Sequence, residues 1–202
     1  VPLKAKHHLQ SLAFGLSTGG LVVLIFLFSF FNEVVIAPFI QPSRHVGAMP
    51  IIVSSDGVAI SDAPEVIIPK INVQIPVDYT QASADEATVQ QTLETGILHY
   101  PNTSLPGTQG NAVYFGHSSN NILNKGKYKF AFVLLGRMET GDTFMLQKDG
   151  KRYVYRVYDK KIVKPSDLSV LAATEKPSSF TLITCDPPGT SLNRLIVVGE
   201  QI

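Results

Sequence analysis

The hydrophobic and polar positions divide this chain into two parts with different patterns. The first part contains twenty consecutive residues without a charge, from Leu12 to Phe31. A helix of that length spans roughly 30 Å, about the thickness of the hydrocarbon layer of a bilayer. Beyond Pro50, short runs rich in β-branched and aromatic residues alternate with turn residues. The pattern therefore predicts one membrane-spanning helix followed by a β domain.

The β part contains several short predicted strands and few helices. The dipeptide Asp149-Gly150 separates two of these strands and is typical of a two-residue hairpin. Many short strands with few helices favour a closed or nearly closed β-barrel. The predicted strands are Val66–Ile68, Ile71–Val77, Asn111–Phe115, Thr143–Gln147, Arg152–Tyr158, Thr181–Thr184 and Leu195–Glu200.

Three short helical stretches are predicted between the strands. The clearest runs from Ser83 to Leu93, because Ser83 and Glu86 have the spacing of a capping box, in which each side chain bonds a backbone amide of the first turn. The other two lie near Lys129 to Leu135 and from Pro165 onward. All three are short, so the domain is expected to be mainly β.

The charges around the apolar run predict its orientation. Lys4 and Lys6 precede the run, whereas Glu33 follows it and the next basic residue is Arg44. The positive-inside rule places the N-terminus in the cytoplasm and everything after the run outside the cell. A cleaved signal peptide is the competing interpretation, although the run is longer than a typical signal core and lacks a small-x-small site at its end. A further apolar span upstream of Val1 would invert the orientation.

Composition narrows the possible functions. A net charge of +1 argues against a dedicated nucleic-acid binder. The single cysteine, Cys185, excludes an intramolecular disulfide and a zinc site built from several cysteines. An unpaired thiol outside the cell is exposed to oxidation, so its presence there suggests a use. For any lone cysteine the alternative is burial as a small apolar residue.

The surroundings of Cys185 favour a chemical role. The thiol ends the strand-like string Thr181 to Cys185, and Arg194 stands nine residues later at the start of the run Leu195 to Val198. The segment between them, Asp186 to Gly189, has the composition of a turn. If the two strands pair as a hairpin, the guanidinium lies beside the thiol, and a nearby positive group favours the reactive thiolate.

His117 is the candidate partner for this thiol. It follows the run Val113 to Gly116 at a junction between strand and loop, where a histidine can face a cleft. A structural or surface histidine is the alternative, and His99 and His45 have weaker contexts. A thiolate nucleophile, an imidazole that transfers protons and a guanidinium that stabilises negative charge can together carry acyl transfer.

These motifs resemble those of the sortases, the membrane-anchored cysteine transpeptidases of bacterial cell surfaces. The string TLITC at Thr181 to Cys185 is similar to the family's TLxTC signature, and GHSS at Gly116 to Ser119 is similar to its histidine block. Arg194 matches the arginine that opens the last barrel strand. Three further segments are similar to the early part of the family's domain: Ile67–Ile71, Gly96–Pro101 and Pro106-Gly107.

The resemblance implies a closed eight-stranded sortase-type β-barrel with a few short helices, preceded by one N-terminal transmembrane helix. It implies an enzyme of EC 3.4.22 type that cleaves a Leu-Pro-x-Thr-Gly-like sorting signal between Thr and Gly. The surface protein would then pass through a thioester to an amine, on a peptidoglycan precursor or a pilin lysine. By position, Cys185 is the nucleophile, His117 the acid and base, and Arg194 the group for the substrate and the oxyanion. Thr184 is expected to bind substrate, and we expect no cofactor and no metal.

The same resemblance divides the chain into four parts. We expect a cytoplasmic N-terminus at residues 1–11, a transmembrane helix at 12–31, an extracellular linker at 32–50 and the catalytic domain at 51–202. The chain has no tryptophan, hence no Asp-Pro-Trp lid motif, and it ends on the expected last strand without a second apolar span. Both features weigh against a typical pilin polymerase.

Two alternatives of other classes remain open at the level of sequence. The first is a catalytically idle β-barrel that binds partners at the cell surface. The second is a cysteine peptidase or an L,D-transpeptidase-like wall enzyme. The latter usually carries a Ser-His-Gly-Cys string, whereas His117 and Cys185 are far apart in this sequence.

Overall fold

A computed structural model describes residues 3–31, 60–80, 85–118 and 128–202. The chain forms two compact units, residues 1–40 and 41–202. The first contains helix α1 (Leu3–Phe31), in which the stretch Gln10–Phe28 is long and apolar enough to cross a membrane. The predicted linker at 32–50 lies outside the described residues, and so does His45.

In the described part of the second unit, eight strands close into a barrel. The strands are β1 (Glu65–Ile68), β2 (Val73–Asp78), β3 (Ile97–His99), β4 (Gly110–Phe115), β5 (Thr143–Lys148), β6 (Lys151–Val163), β7 (Ser178–Asp186) and β8 (Asn193–Gln201). Their order around the barrel is β1-β2-β3-β4-β7-β8-β6-β5, and β5 pairs with β1 to close it. The pairs β2/β3 and β4/β7 are parallel and the others are antiparallel.

Alternation along the strands separates an interior face from an exterior face. On β7, Phe180 and Leu182 belong to the main buried cluster inside the barrel, whereas Ile183 belongs to a second cluster on the outer surface. Aromatic rings fill the interior, and the rings of Tyr114 and Phe180 stack with centroids 4.1 Å apart. Full burial of one such side chain contributes roughly 1.5–3 kcal/mol to stability, so these packed rings help to hold the barrel together.

The predicted strands are present, with differences at short and irregular elements. β2 begins at Val73 and not at Ile71, because Pro69–Ile71 form a 3₁₀ turn. β3 has three residues, too few to display an alternating pattern, and it was not predicted. β6 extends five residues beyond its predicted end at Tyr158, because a bulge between Val157 and Asp159 shifts the alternation. The predicted hairpin at Asp149-Gly150 is present, and both residues have positive φ, 52° and 68°, as a type I′ turn requires.

The predicted helices are shorter or begin later than expected. Helix α2 spans Glu86–Thr95, and its N-cap is Asp85, whose side chain accepts a hydrogen bond from the Thr88 amide at 3.0 Å. The capping box predicted at Ser83 is therefore wrong for the helix start, since aspartate two residues later caps equally well. Ser83 itself lies outside the described residues. The other two predicted helices are 3₁₀ turns, Leu135–Arg137 and Leu168–Leu171.

Candidate active site

The hairpin of β7 and β8 joins Cys185 to Arg194. The two residues are direct partners in the antiparallel register. The chain reverses after Asp186 through a turn in which the Thr190 amide donates to the Pro187 carbonyl at 3.0 Å. Pairing of the two strands was the condition for thiol and guanidinium to be neighbours, and the register confirms it.

On the other side of β7, the parallel strand β4 leads His117 towards the same thiol. Phe115, the last residue of β4, pairs with Ile183. The contact continues past the end of the strand, because the Gly116 amide donates to the Ile183 carbonyl at 3.0 Å. The next neighbours are Gly116 and Thr184, whose hydroxyl donates to the Gly116 carbonyl at 2.8 Å. Continued by one more residue on each side, this register aligns His117 with Cys185. Cys185 lies on a strand between the histidine segment and the arginine strand.

The side chains of Cys185 and Arg194 belong to the outer face of the barrel. Ile183 and Ile196 lie in the outer cluster, and Phe115 packs against that cluster. Cys185 stands two residues after Ile183, and Arg194 stands two residues before Ile196. His117 stands two residues after Phe115. Side chains two residues apart in a strand share a face, so the Cys185 thiol and the Arg194 guanidinium face the same way. His117 follows the end of β4, so this rule does not extend to the imidazole. The Arg194 guanidinium carbon lies 5.8 Å from the centroid of the Phe115 ring, in keeping with this arrangement.

Close packing fixes the backbone that carries the imidazole. A Cβ atom at Gly116 would lie 2.6 Å from ring atoms of Phe132 and 2.9 Å from Ile97, so the position accepts no side chain without a shift of these neighbours. The Phe132 amide also donates to the His117 carbonyl at 2.8 Å. The histidine side chain is 7% exposed and the cysteine side chain is partly exposed.

Burial favours the neutral forms of both His117 and Cys185. Burial lowers the pKa of His117, and the negative charge of Glu94 acts in the opposite direction. Burial raises the pKa of Cys185, and the positive charge of Arg194 partly offsets this. The expected effect of Arg194 on the thiol is present, but burial is the larger effect. At neutral pH the resting pair is therefore a neutral thiol and a neutral imidazole.

The Arg194 guanidinium donates hydrogen bonds to backbone carbonyls. Nη1 donates to the carbonyl of Asn193 at 3.0 Å and to that of Ser191 at 3.4 Å. Among the described residues, no carboxylate forms an ion pair with it. A guanidinium that forms no ion pair with a carboxylate keeps N–H groups that can donate to a polarised carbonyl oxygen.

The side chains of Thr184 and His99 each bond a backbone carbonyl inside the fold. The Thr184 side chain is 1% exposed, and its hydroxyl donates to the Gly116 carbonyl at 2.8 Å. The contact of Thr184 with substrate stays a prediction. The His99 imidazole lies with Nε2 2.9 Å from the Ser104 carbonyl oxygen, and its centroid is 5.0 Å from that of the Tyr79 ring.

Two residues near this face were missed by sequence reasoning. Glu94 lies one residue before the end of α2, and only the fold brings that helix end close to the histidine segment. Asn111 on β4 appeared as one polar position in a predicted strand, with no motif to single it out. In the part of the chain that the structure describes, no group of three or more His, Cys, Asp or Glu side chains could hold a metal ion.

The strands and the thiol hairpin together define a mainly β protein with a candidate cysteine site on the outer face of a closed barrel. Residues 66–202 match the family model described as Sortase domain. The chain therefore belongs to the sortase family, and the expected sortase-type barrel is confirmed.

Individual relatives agree with this family. Sortase D of Bacillus subtilis (strain 168) is 28% identical over 138 residues, which cover 67% of this chain and 61% of that protein. Sortase SrtE1 of Streptomyces coelicolor is 28% identical over 149 residues, which cover 67% of this chain and 39% of that protein. The chain thus spans about three fifths and two fifths of these two curated relatives.

Solved structures show the same fold. Sortase C-1 of Actinomyces oris superposes with a TM-score of 0.58 at 30% identity, covering 71% of this chain and 75% of that one. A sortase C of Clostridium perfringens, solved with the C-terminal cell wall sorting motif, gives a TM-score of 0.58 at 27% identity, covering 72% and 74%.

Proposed function

We propose that this chain is a cysteine transpeptidase. It cleaves a Leu-Pro-x-Thr-Gly-like sorting signal between Thr and Gly and transfers the surface protein to an amine. The observation that carries the proposal is the strand register, in which Cys185 stands between the segment of His117 and its hairpin partner Arg194. Membership of the sortase family supports the substrate class, and so does the Clostridium perfringens relative, whose structure was solved with the C-terminal cell wall sorting motif.

The first half-reaction forms a thioester. The Cys185 thiol gives its proton to the His117 imidazole as sulfur attacks the carbonyl carbon of the signal's threonine. The bond between that carbon and the glycine nitrogen then breaks, and the imidazolium donates its proton to the departing amine. Neutral His117 and an acyl group on Cys185 remain. Because the resting pair is neutral, the reactive thiolate and imidazolium form a minor population, and activity depends on how readily the proton moves.

Arg194 stabilises the negative charge that develops on the carbonyl oxygen in this step. A preorganised donor aimed at such an oxygen contributes about 3 kcal/mol to the transition state. Phe115 lies beneath the guanidinium at a distance consistent with a cation–π contact, which helps to hold its plane.

The second half-reaction transfers the acyl group. An amine attacks the thioester carbon, His117 accepts the amine's proton, and the carbon–sulfur bond breaks. The same proton returns to the sulfur and restores the thiol. The acceptor is an amine of a peptidoglycan precursor or a pilin lysine, and water in its place gives hydrolysis.

The N-terminal helix anchors the enzyme in this proposal. Residues 1–11 lie in the cytoplasm, 12–31 cross the membrane, 32–50 form the tether, and 51–202 act outside the cell. The apolar stretch Gln10–Phe28 and the basic residues Lys4 and Lys6 before it support this arrangement.

Product formation by the full chain in detergent micelles tests the proposal. A peptide containing Leu-Pro-x-Thr-Gly is incubated with the protein and a triglycine acceptor, and products are identified by mass spectrometry. We expect ligation of the acceptor to the threonine, and no product from Cys185→Ala, which removes only the sulfur atom. A folded wild-type protein that binds the peptide without cleaving it would instead support the idle barrel.

A further inference from the structure

Asn111 makes three side-chain hydrogen bonds from a buried position on β4. Its side chain is 3% exposed. The amide nitrogen Nδ2 donates to the carbonyl oxygens of Val170 at 3.1 Å and Ala172 at 3.0 Å. The amide oxygen Oδ1 accepts from the Thr181 hydroxyl on β7 at 2.7 Å. One side chain thus connects β4, β7 and the segment that follows β6.

That segment is the β6–β7 loop, residues 164–177, which crosses the outer face of the barrel. Val170 and Leu171 of the loop pack against the outer cluster that contains Ile183 and Ile196. The same face carries Cys185 two residues further along β7. The loop therefore borders the outer face on which Cys185 lies, beside the strand positions that precede the thiol.

The loop also borders a cavity of about 470 Å³. Its lining includes Thr181, Ile196 and Val198 of β7 and β8 together with Val170 and Ala172 of the loop. Both of these loop residues have their carbonyls bonded to Asn111. The amide therefore holds two of the loop residues that line the cavity.

Within the described part of the chain, few side-chain interactions hold this middle part of the loop. Asp167 caps the 3₁₀ turn through the Ser169 amide, which is a contact within the loop. Thr174 contacts Ser179, and Lys176 pairs with Glu200 at 2.7 Å, but both contacts lie near the start of β7. Among the described residues, Asn111 donates the two side-chain hydrogen bonds that connect residues 168–172 to the barrel.

We propose that Asn111 is a positioning residue that holds the β6–β7 loop against the barrel and so shapes the groove in which the sorting peptide binds. This inference rests on the proposed function for the identity of the peptide. Asn111 acts through the loop, away from the thiol, so its loss weakens peptide binding and leaves the reactivity of Cys185 unchanged.

Two substitutions test the hydrogen bonds that the Asn111 amide donates to the loop. Asn111→Asp keeps the size and the acceptor for Thr181, but a carboxylate cannot donate to two carbonyls. Asn111→Ser is neutral and too short to reach the loop, and it keeps the test valid if the buried charge prevents folding. Asn102→Asp makes the same chemical change in an exposed turn and is the matched control.

Hydrogen exchange and peptide affinity are measured on the full chain. We expect amide exchange in residues 168–174 to rise about tenfold or more in both Asn111 variants, since local opening no longer breaks the two bonds. Peptide affinity is measured with Cys185→Ala as background, and we expect Kd to rise about tenfold. In the active background we expect KM to rise while kcat and the rate of Cys185 alkylation stay within about twofold.

The possible failures are distinguishable. If a folded Asn111→Ser protein shows the same amide hydrogen exchange in the loop as wild type, Asn111 does not hold the loop, whatever the activity. Faster exchange with unchanged Kd overturns the role in peptide binding. Absence of any ligation product from the wild-type protein overturns the proposed function, and the exchange comparison still decides whether Asn111 holds the loop.

Discussion

At the scale of single residues, the site depends on the balance between burial and charge at Cys185 and His117. Burial favours the neutral form of each group, and Arg194 and Glu94 favour the charged forms. The sequence supported the choice of cysteine, histidine and arginine because each stands in a short motif. It did not reveal that burial outweighs the arginine, since the extent of burial depends on distant strands and loops.

Replacement of Arg194 by lysine should slow acyl transfer strongly. An ammonium keeps the charge but cannot reproduce the planar fork of the guanidinium. We expect kcat/KM for the sorting peptide to fall about 10²-fold, in line with the loss of a preorganised oxyanion donor. Arg156→Lys on the exposed outer side of β6 is the matched control. Activity of Arg194→Lys within twofold of wild type would contradict the assigned role.

Replacement of Glu94 by glutamine should lower the pKa of His117 further. The carboxylate favours the imidazolium, so its removal leaves burial unopposed by this charge. The His117 ring proton, followed by NMR from pH 8 to pH 4, reports the change directly. Glu86→Gln, at the opposite end of α2, is the control and should leave the titration where it is. A His117 pKa that is the same in Glu94→Gln and in wild type would exclude the interaction.

At the scale of elements, the regular strands and the tight hairpin follow from local sequence, whereas two features do not. Asp149-Gly150 predicts its turn because few other dipeptides accept two positive φ angles. β3 could not be predicted from its three residues, because it forms by pairing with β2 and β4. The charged end of β6 is a strand because β8 pairs with it across the bulge.

Because the segment after β4 is closely packed, we expect any side chain at Gly116 to lower the stability of the fold. The added methyl group of Gly116→Ala would overlap the Phe132 ring. Overpacking of this kind costs typically about 1–3 kcal/mol, so the urea midpoint should fall. Gly136→Ala is the control, because its Cβ would meet Leu195 at an ordinary 3.7 Å. Equal loss of stability in the two variants would show that packing at the histidine junction is not special.

At the scale of the whole molecule, the sequence predicted the order of an apolar helix and a closed barrel, because each has its own hydrophobic period. It predicted the pairing of strands joined by a short turn, but not which strands distant in the sequence become neighbours. The parallel pairing of β4 with β7 brings together segments about seventy residues apart, and this pairing assembles the site.

Stability of the whole molecule should decrease as the pH falls below about 6.5, the ordinary pKa of histidine. Burial lowers the pKa of both His99 and His117 in the folded state, so the unfolded chain binds protons first and is favoured as the pH falls. We expect a lower urea midpoint at pH 5.5 than at pH 7.5. His99→Gln should reduce the difference, and a midpoint independent of pH in this range would contradict the account.

The central claim is that Cys185 attacks the sorting peptide with His117 as its proton partner. Single-turnover mixing without an acceptor amine, followed by acid quenching and intact-mass measurement, detects the acyl group directly. We predict a mass increase equal to the acyl fragment, located on Cys185 by peptide mapping, and formation about 10²–10⁴-fold slower in His117→Ala. Acylation of another residue, or an unchanged rate in folded His117→Ala, would contradict the claim.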